Sequence, residues 1–505
     1  MKLNKIFFIL AFGLLYGTMC GQTGTLYRVP FSGVDNIVRY EPVTGRHVTY
    51  SLVAGNENHF SLTDLNTLID VRVAVGLKVR DFEILDEQVF FCGENGSGSG
   101  FLGWFNINDL FFGGAAAHID QTLSALGLLT LDNIEVFRNP VTDMIHVVGY
   151  GVHSHMSLYK DYRAFEAVGF PLMNMSYRTM DLRSTWEYGD YSDIVVTDNF
   201  VVYLSSIRSN AIYAPFGPIV GSNIGVGIDL QPFPKYDMFG NPPFYYHYYQ
   251  LAYISSIFAS GWVLPINNDP YSSIEPKMVH SDGDKIAVCT YRQDLDDNSG
   301  LPFTSYFPPT ATYITHMEFD LSTLLPSTNN FIPMTSYRIA QLYLGKPISL
   351  DGFEYDPQTK RYAILHRHES SSGVYEHAVT IFDFIGGMPT SVESSYQTAF
   401  NTISGWRPEN MCFDGTVYYT VMGHDMMSSE FIFWRKNISA TGGQYSNCER
   451  NVQYPVTPLP LVPAKYYENA ALPTVWKPLV FQEQERGDVQ EFFCELMCNM
   501  IRRKE

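Results

Sequence analysis

The sequence predicts an all-β protein, and three observations carry that prediction. Apolar residues make up 46% of the 505-residue chain and aromatics 15%, with 34 Tyr and 35 Phe. Such a chain can fill a large core and does not fit disorder. The apolar residues gather in short runs rich in aromatic and β-branched types, too short for helices. The 28 Pro and 39 Gly fall mostly between those runs, where turns belong.

The chain opens with a segment that reads as an export signal peptide over residues 1–21. Lys2 and Lys5 form a basic start, and "IFFILAFGLLYG" is an apolar run of signal length, too short to span a membrane comfortably. Thr18 and Cys20 are small residues placed for cleavage before Gly21. A lipid-modified Cys20 is the less favoured alternative, because Met19 occupies a position where a lipobox wants a small residue. No later run is long and apolar enough to suggest a transmembrane segment, so the expected location is periplasmic, cell-surface or extracellular. Formal net charge is −19 and becomes −21 once the two leader lysines are gone. That balance argues against a nucleic-acid partner, whose phosphates it would repel.

A hairpin then recurs. The stretch "VRDFEILDEQVFFCG" consists of an apolar run, a polar turn and a denser apolar run. It returns as "NIEVFRNPVTDMIHVVGYG", "DIVVTDNFVVYLSS", "KMVHSDGDKIAVCTY", "GFEYDPQTKRYAILHRH" and "NMCFDGTVYYTVMG". The turns centre near residues 86, 141, 198, 282, 356 and 414, at intervals of 55, 57, 84, 74 and 58. Weaker strand pairs such as "FLGWFNI", "TYITHMEFD", "HAVTIFDF" and "FIFWRK" follow the hairpins. The second run of each hairpin does not alternate, so both its faces must be covered. A unit of roughly 40 to 60 residues built of short strands points to a β-propeller of six four-stranded blades over residues 22–450. Residues 25–52 either begin a seventh blade or close the ring against the last one. An all-β sandwich, or two stacked β domains, is the competing arrangement.

Between the hairpins, "AAAHIDQTLSALGLL" (115–129) is read as a short helix, and 209–276 and 300–345 as insertions. Residues 451–505 are read as a Pro-rich extended strap followed by a C-terminal helix. The helical face is drawn from Val489, Phe492, Phe493, Leu496, Met497 and Met500. Cys92, Cys289 and Cys412 lie inside apolar runs and read as buried free thiols. Cys448, Cys494 and Cys498 are left open as disulfide candidates.

The export leader together with "VFFCG" and the following "GFLGWF" resembles uncharacterised secreted β-propeller-like proteins of Bacteroidota. The resemblance implies the propeller and export, and carries over no activity and no functional residues.

Candidate binding residues come from the ends of the second strands, which share one funnel mouth in a propeller. Arg208, Arg292, His366, His368, Glu369 and His424 occupy such ends, and Tyr245, Tyr246 and Tyr248 form an aromatic lip beside them. In "HSH" (153–155) and "HRHE" (366–369) the histidines recur at strand spacing, and "DLDDNSG" (294–300) begins like a calcium loop. Ser299 and Ser305 stand where that loop needs Gly and Glu, and no metal or other cofactor is expected. No GxSxG, HExxH or P-loop motif is present. The expected function is therefore a non-enzymatic binding module for a protein or glycan, with a polysaccharide hydrolase or lyase acting from the same funnel as the alternative.

Overall fold

In a computed structural model, the described residues are 24–32, 34–52, 58–64, 69–74, 77–108, 116–120, 123, 127–140, 142–156, 159–169, 175–182, 191–210, 222–232, 245–251, 276–294, 311–323, 334–339, 347–371, 374–385, 388–397, 406–414, 418–425, 430–437, 449–453, 456–458, 465–470, 477–478, 481–485 and 490–493. The leader, Cys448, Cys494, Cys498 and the "DDNSG" of the calcium-like loop lie outside them.

The architecture is all-β, in seven antiparallel sheets among the described residues. The first strand, β1 (Gly24–Ser32), waits for a partner from the far end of the chain. Sheet 1 is β2 (Val34–Glu41), β3 (Arg46–Leu52), β4 (His59–Asp64) and β5 (Ile69–Ala74). Sheet 2 is β6 (Lys78–Leu85), β7 (Gln88–Glu94), β8 (Gly100–Asn106) and β9 (Ala116–Asp120). Sheet 3 is β10 (Asn133–Arg138), β11 (Ile145–Met156), β12 (Tyr159–Gly169) and β13 (Ser176–Asp181). Sheet 4 is β14 (Tyr191–Val196), β15 (Phe200–Asn210), β16 (Ser222–Pro232) and β17 (Tyr245–Leu251). Sheet 5 is β18 (Lys277–Asp282), β19 (Lys285–Asp294), β20 (Ala311–Asp320) and β21 (Met334–Ile339). Sheet 6 is β22 (Pro347–Asp356), β23 (Arg361–Ser371), β24 (Val374–Ile385) and β25 (Met388–Gln397). Sheet 7 is β26 (Trp406–Phe413), β27 (Tyr418–Asp425) and β28 (Glu430–Asn437), completed by β1 in antiparallel register with β28.

The rest of the chain supplies fifth strands in reverse order. β29 (Glu449–Gln453) joins sheet 6 and β30 (Val456–Pro458) joins sheet 5. β31 (Lys465–Ala470) joins sheet 4 and β32 (Lys477–Pro478) joins sheet 3. β33 (Phe481–Glu485) joins sheet 2 and β34 (Gln490–Phe493) joins sheet 1. Each runs antiparallel to the fourth strand that it covers.

Two expected helices are corrected by this arrangement. Within 115–129, residues 116–120 form β9, held between β8 and β33. At the C-terminus, residues 490–493 form β34 against β5. In both places an open sheet edge offers backbone partners, and that pairing outweighs a local helical pattern. Within residues 25–52, β1 completes sheet 7 while β2 and β3 begin sheet 1.

The first strands carry the contacts between sheets. β2 packs against β6, β6 against β10, β10 against β14 and β14 against β18; β18 then packs against β22, β22 against β26, and β26 against β2. Between sheets 1 and 2 the core is aromatic, with the Phe60 ring centroid 5.1 to 5.4 Å from those of Tyr50, Phe82, Phe91 and Phe105. Two glycines make the close packing of sheet 2 possible. A Cβ on Gly93 would lie 2.1 Å from the Lys78 carbonyl oxygen, and one on Gly103 would lie 2.4 Å from the Phe91 ring. The β6–β7 turn places Asp86 and Glu87 at φ 51 and 60°, as a two-residue hairpin turn requires. Cys92, Cys289 and Cys412 are buried free thiols. Among the described residues, no helix is long and apolar enough to cross a membrane.

Candidate functional site

The strand-end residues singled out from the sequence fall on second strands: Arg208 on β15, Arg292 on β19, His366, His368 and Glu369 on β23, and His424 on β27. In each sheet the end of the second strand lies beside the start of the first. His368 is opposite Pro347 and His424 opposite Arg407, while Arg208 and Arg292 each lie three residues beyond the pairs Ser205–Tyr191 and Cys289–Lys277.

Four members of the predicted set, His366 and three tyrosines, are placed differently. His366 is buried, opposite Leu350 on β22 and Ala378 on β24. Tyr245, Tyr246 and Tyr248 lie on β17, a fourth strand that pairs with β31, with Tyr246 opposite Asn469 and Tyr248 opposite Tyr467. That position is two strands outward from Arg208, because β16 separates β15 from β17. The "HSH" pair is also used locally, since His153 Nδ1 is 3.4 Å from Asp161 Oδ2. Among the described residues, no group of three or more His, Cys, Asp or Glu side chains is arranged to hold a metal ion.

The first strands bring together a charged cluster that the sequence reading missed. Each of them places one residue directly after a buried apolar one. These pairs are Val38–Arg39, Phe82–Glu83, Ile134–Glu135, Ile194–Val195, Met278–Val279, Phe353–Glu354 and Met411–Cys412. Three of the seven following residues are glutamates and one is arginine. Arg39 on β2 bonds Glu83 Oε1 at 2.7 Å and Asp81 Oδ1 at 2.9 Å, both on β6.

Arg39 opposes the upward shift of several buried carboxylates. Burial pushes the Glu354 carboxyl up to about 8, against the pull of Arg39 and with Glu83 and Asp193 adding their repulsion. Burial likewise pushes Asp81 up to about 7, with Arg39 opposing and Glu83 reinforcing the rise. Glu135 is held well above the usual carboxylate range by burial and by Glu83. Asp193 is raised by burial, against Lys277. Glu83, Glu135, Asp193 and Glu354 are half-buried. Arg39 itself is raised, because Glu83 and Asp81 outweigh its own burial. The sequence signal was present: a single Glu sits inside the apolar triplets Phe82–Glu83–Ile84, Ile134–Glu135–Val136 and Phe353–Glu354–Tyr355.

One bonding device recurs between first strands. Asp81 Oδ2 accepts from the Ile134 backbone N–H at 3.1 Å, and Asp193 Oδ2 from Met278 N–H at 2.8 Å. Asn410 Oδ1 accepts from Val38 N–H at 3.4 Å. In each case the acceptor directly follows a register shift of its strand, and the donor is the buried apolar residue of the next sheet. A β-bulge re-aims the side chain toward the neighbour's otherwise unpaired edge.

Further buried polar groups are satisfied in pairs. Glu166 binds Arg178 Nε at 2.6 Å and His146 Nδ1 at 3.2 Å inside sheet 3. Tyr362 OH donates to Glu318 at 2.8 Å, tying sheet 6 to sheet 5. His47 Nε2 lies 3.0 Å from Thr420 Oγ1 between sheets 1 and 7, and burial with the Arg435 charge pushes its pKa down to about 4. These groups read as fixtures of the packing. No family model, no curated protein and no solved structure matches this chain.

Proposed function

We propose that the seven sheets are the blades of a β-propeller and that the protein is an exported, non-enzymatic binding module. The observation that carries the reading is the succession of first-strand contacts, in which sheet 7 meets sheet 1 through the same acceptor-to-N–H device that links sheets 2 and 3. In such a ring the second-strand ends would gather at one mouth. Arg208, Arg292, His368, Glu369 and His424 would then converge on a partner, either a protein or a glycan. His366 and the tyrosines of β17 drop out of that surface. The test is a glycan-array and protein-partner screen on the purified mature chain, repeated with Arg208→Ala and Arg292→Ala combined. Loss of a specific binding signal with an unchanged circular-dichroism spectrum is expected. A signal that the double variant leaves intact overturns the assignment of the mouth.

A second reading, a polysaccharide hydrolase or lyase, draws support from the proton-holding carboxyls of Glu354 and Asp81 near Glu83. A carboxylic acid kept protonated near neutral pH beside a second carboxylate is the equipment of general acid catalysis on glycosidic bonds. The release of reducing ends from acidic and neutral polysaccharides measures it, and Glu354→Gln would abolish that release.

A further inference from the structure

Asn95–Gly96 is the one Asn–Gly pair in the chain, and it sits in the hairpin loop between β7 and β8. The loop closes on itself, with Asn95 N–H donating to the Ser99 carbonyl at 2.9 Å and Gly98 N–H to the Asn95 carbonyl at 3.0 Å. Its donors also converge on the Asn95 side chain. Oδ1 accepts from Ser97 N–H at 3.0 Å, from Ser97 Oγ–H at 2.6 Å and from Ser99 N–H at 3.0 Å. Gly96 is exposed, and among the described residues its N–H donates to no acceptor. An uncommitted amide nitrogen therefore follows directly on a side-chain carbonyl polarised by three donors. A backbone nitrogen attacks the preceding side-chain carbonyl most readily when its own residue has no Cβ, and Gly96 meets that condition.

We propose that Asn95 is a self-modifying site, at which a succinimide forms with Gly96 and opens to a carboxylate. The Gly96 N–H gives its proton to water as the nitrogen bonds to Asn95 Cγ. Negative charge develops on Oδ1, where the N–H groups of Ser97 and Ser99 and the Ser97 hydroxyl stabilise it. The Cγ–Nδ2 bond then breaks, and Nδ2 takes a proton from water and leaves as ammonia. Water adds to either carbonyl of the imide, and breaking the C–N bond there gives aspartate or isoaspartate. Aspartate is the product that the loop fits, because the same donors bond a carboxylate more strongly than an amide. Isoaspartate lengthens the main chain inside the loop and disturbs its two backbone bonds. Either product adds a negative charge beside Glu94, which already holds Lys78 at 2.9 Å and Arg80 at 3.3 Å. The result is a slow, one-way change of charge at the end of β7, a second strand like those that carry the candidate binding residues.

The test is peptide-mapping mass spectrometry on the full chain, held at mildly alkaline pH and sampled over time for the amide-to-acid mass gain. Asn95 should convert ahead of every other asparagine, and faster in the folded chain than in concentrated urea, where its donors are lost. Two variants separate the chemistry from the loop. Gly96→Ala fits the fold, since a Cβ there meets nothing within 4 Å, and it crowds the attacking nitrogen. Conversion should slow in the folded chain and in urea alike. Ser97→Ala removes one donor to Oδ1, so it should slow the folded chain roughly threefold to tenfold and leave the rate in urea unchanged. Conversion of Asn95 that is no faster folded than in urea overturns the proposal, because the hydrogen bonds would then hold the side chain away from Gly96. A glycan on Asn95 Nδ2 in the protein isolated from its source also overturns it. Asn95–Gly96–Ser97 is a glycosylation triplet as well, and the sugar would block the leaving group.

Discussion

Glu409 accepts two hydrogen bonds from Asn36, one from its backbone N–H at 2.9 Å and one from its side-chain amide at 2.6 Å. The two residues stand on the first strands of the last and first sheets, so this contact joins the two ends of the repeat array. It does so at the bulged residue of β26, beside the Asn410 that accepts from Val38.

Glu409→Ala removes both acceptor contacts and leaves the buried Asn36 without them. The expected loss is about 1 to 3 kcal/mol of unfolding free energy, read from urea unfolding. Because the contact joins the first strands of sheets 7 and 1, the variant should also fray there. Exchange in β2 and β26 should therefore accelerate before that in β11, and uniform acceleration would assign Glu409 no special role in closure.

Arg39 neutralises carboxylates from β6 and stands near Glu354 of β22. Arg39→Met keeps an apolar stem and removes the guanidinium, whose Cζ lies 5.8 Å from the Phe82 ring centroid. The carboxylates left behind are enclosed, so a loss of about 3 to 5 kcal/mol is expected at pH 8. The loss should shrink at pH 5, where Asp81 and Glu354 hold protons. A pH-independent loss would show that Arg39 acts through packing alone.

Glu354 gives a cleaner test of the same cluster. Its folded-state pKa is raised from 4.5 to about 8, so the folded protein holds a proton that the unfolded chain releases. Its contribution to stability is therefore fully present below about pH 4.5 and is lost as the pH rises toward about 8. Glu354→Gln supplies a permanently neutral isostere. The variant should match the parent near pH 4 and show a higher Tm above pH 8, by differential scanning calorimetry. A lower Tm at pH 9 would mean that the ionised carboxylate is used by Arg39 more than burial opposes it.

Much of the fold was legible because buried hairpins advertise themselves. The six repeated hairpins coincide with the first two strands of sheets 2 to 7. The hairpin of sheet 1, turning at residues 42–45, was harder to isolate because "VDNIVRYEPVTGRHVTYSL" alternates polar and apolar residues instead of forming two dense runs. The last C-terminal strand, β34, was misread for a different reason. Phe492 and Phe493 with Leu496 and Met497 mimic a helical stripe, and nothing local reveals that β5 offers them an edge. The charged cluster was hidden by spacing: Arg39, Glu83, Glu135 and Glu354 are far apart in sequence and come together only through contacts between first strands. His366 looked like a strand-end residue, but β23 continues to Ser371 and carries it inside the sheet.

The aromatic core between sheets 1 and 2 should be the least tolerant part of the molecule. Phe60 is fully buried and edge-on or tilted to Tyr50, Phe82, Phe91 and Phe105. Phe60→Ala should cost about 3 to 5 kcal/mol, and Phe60→Leu less than that, by chemical denaturation. Gly103→Ala tests the same cluster from the backbone side, since its Cβ would press on the Phe91 ring. If Gly103→Ala proves neutral, Phe91 has room to move and the cluster is looser than its ring distances imply.

The C-terminal belt covers six fourth strands: β5, β9, β13, β17, β21 and β25. A chain ending at Cys448 would expose all six edges together, each with alternate N–H and C=O groups pointing outward. Exposed strand edges recruit other edges, so the truncated chain should leave the monomer peak in size-exclusion chromatography with light scattering and form large species. Its inner strands do not use the belt for hydrogen bonds, because β2 to β4 and their counterparts pair among themselves. Adding a peptide spanning residues 449–505 during refolding should therefore restore the parent's elution position, since the edges it matches are intact. A truncated chain that stays soluble and discrete without the peptide would show that the fourth strands protect their own edges, and that the belt is dispensable for keeping the molecule apart from its neighbours.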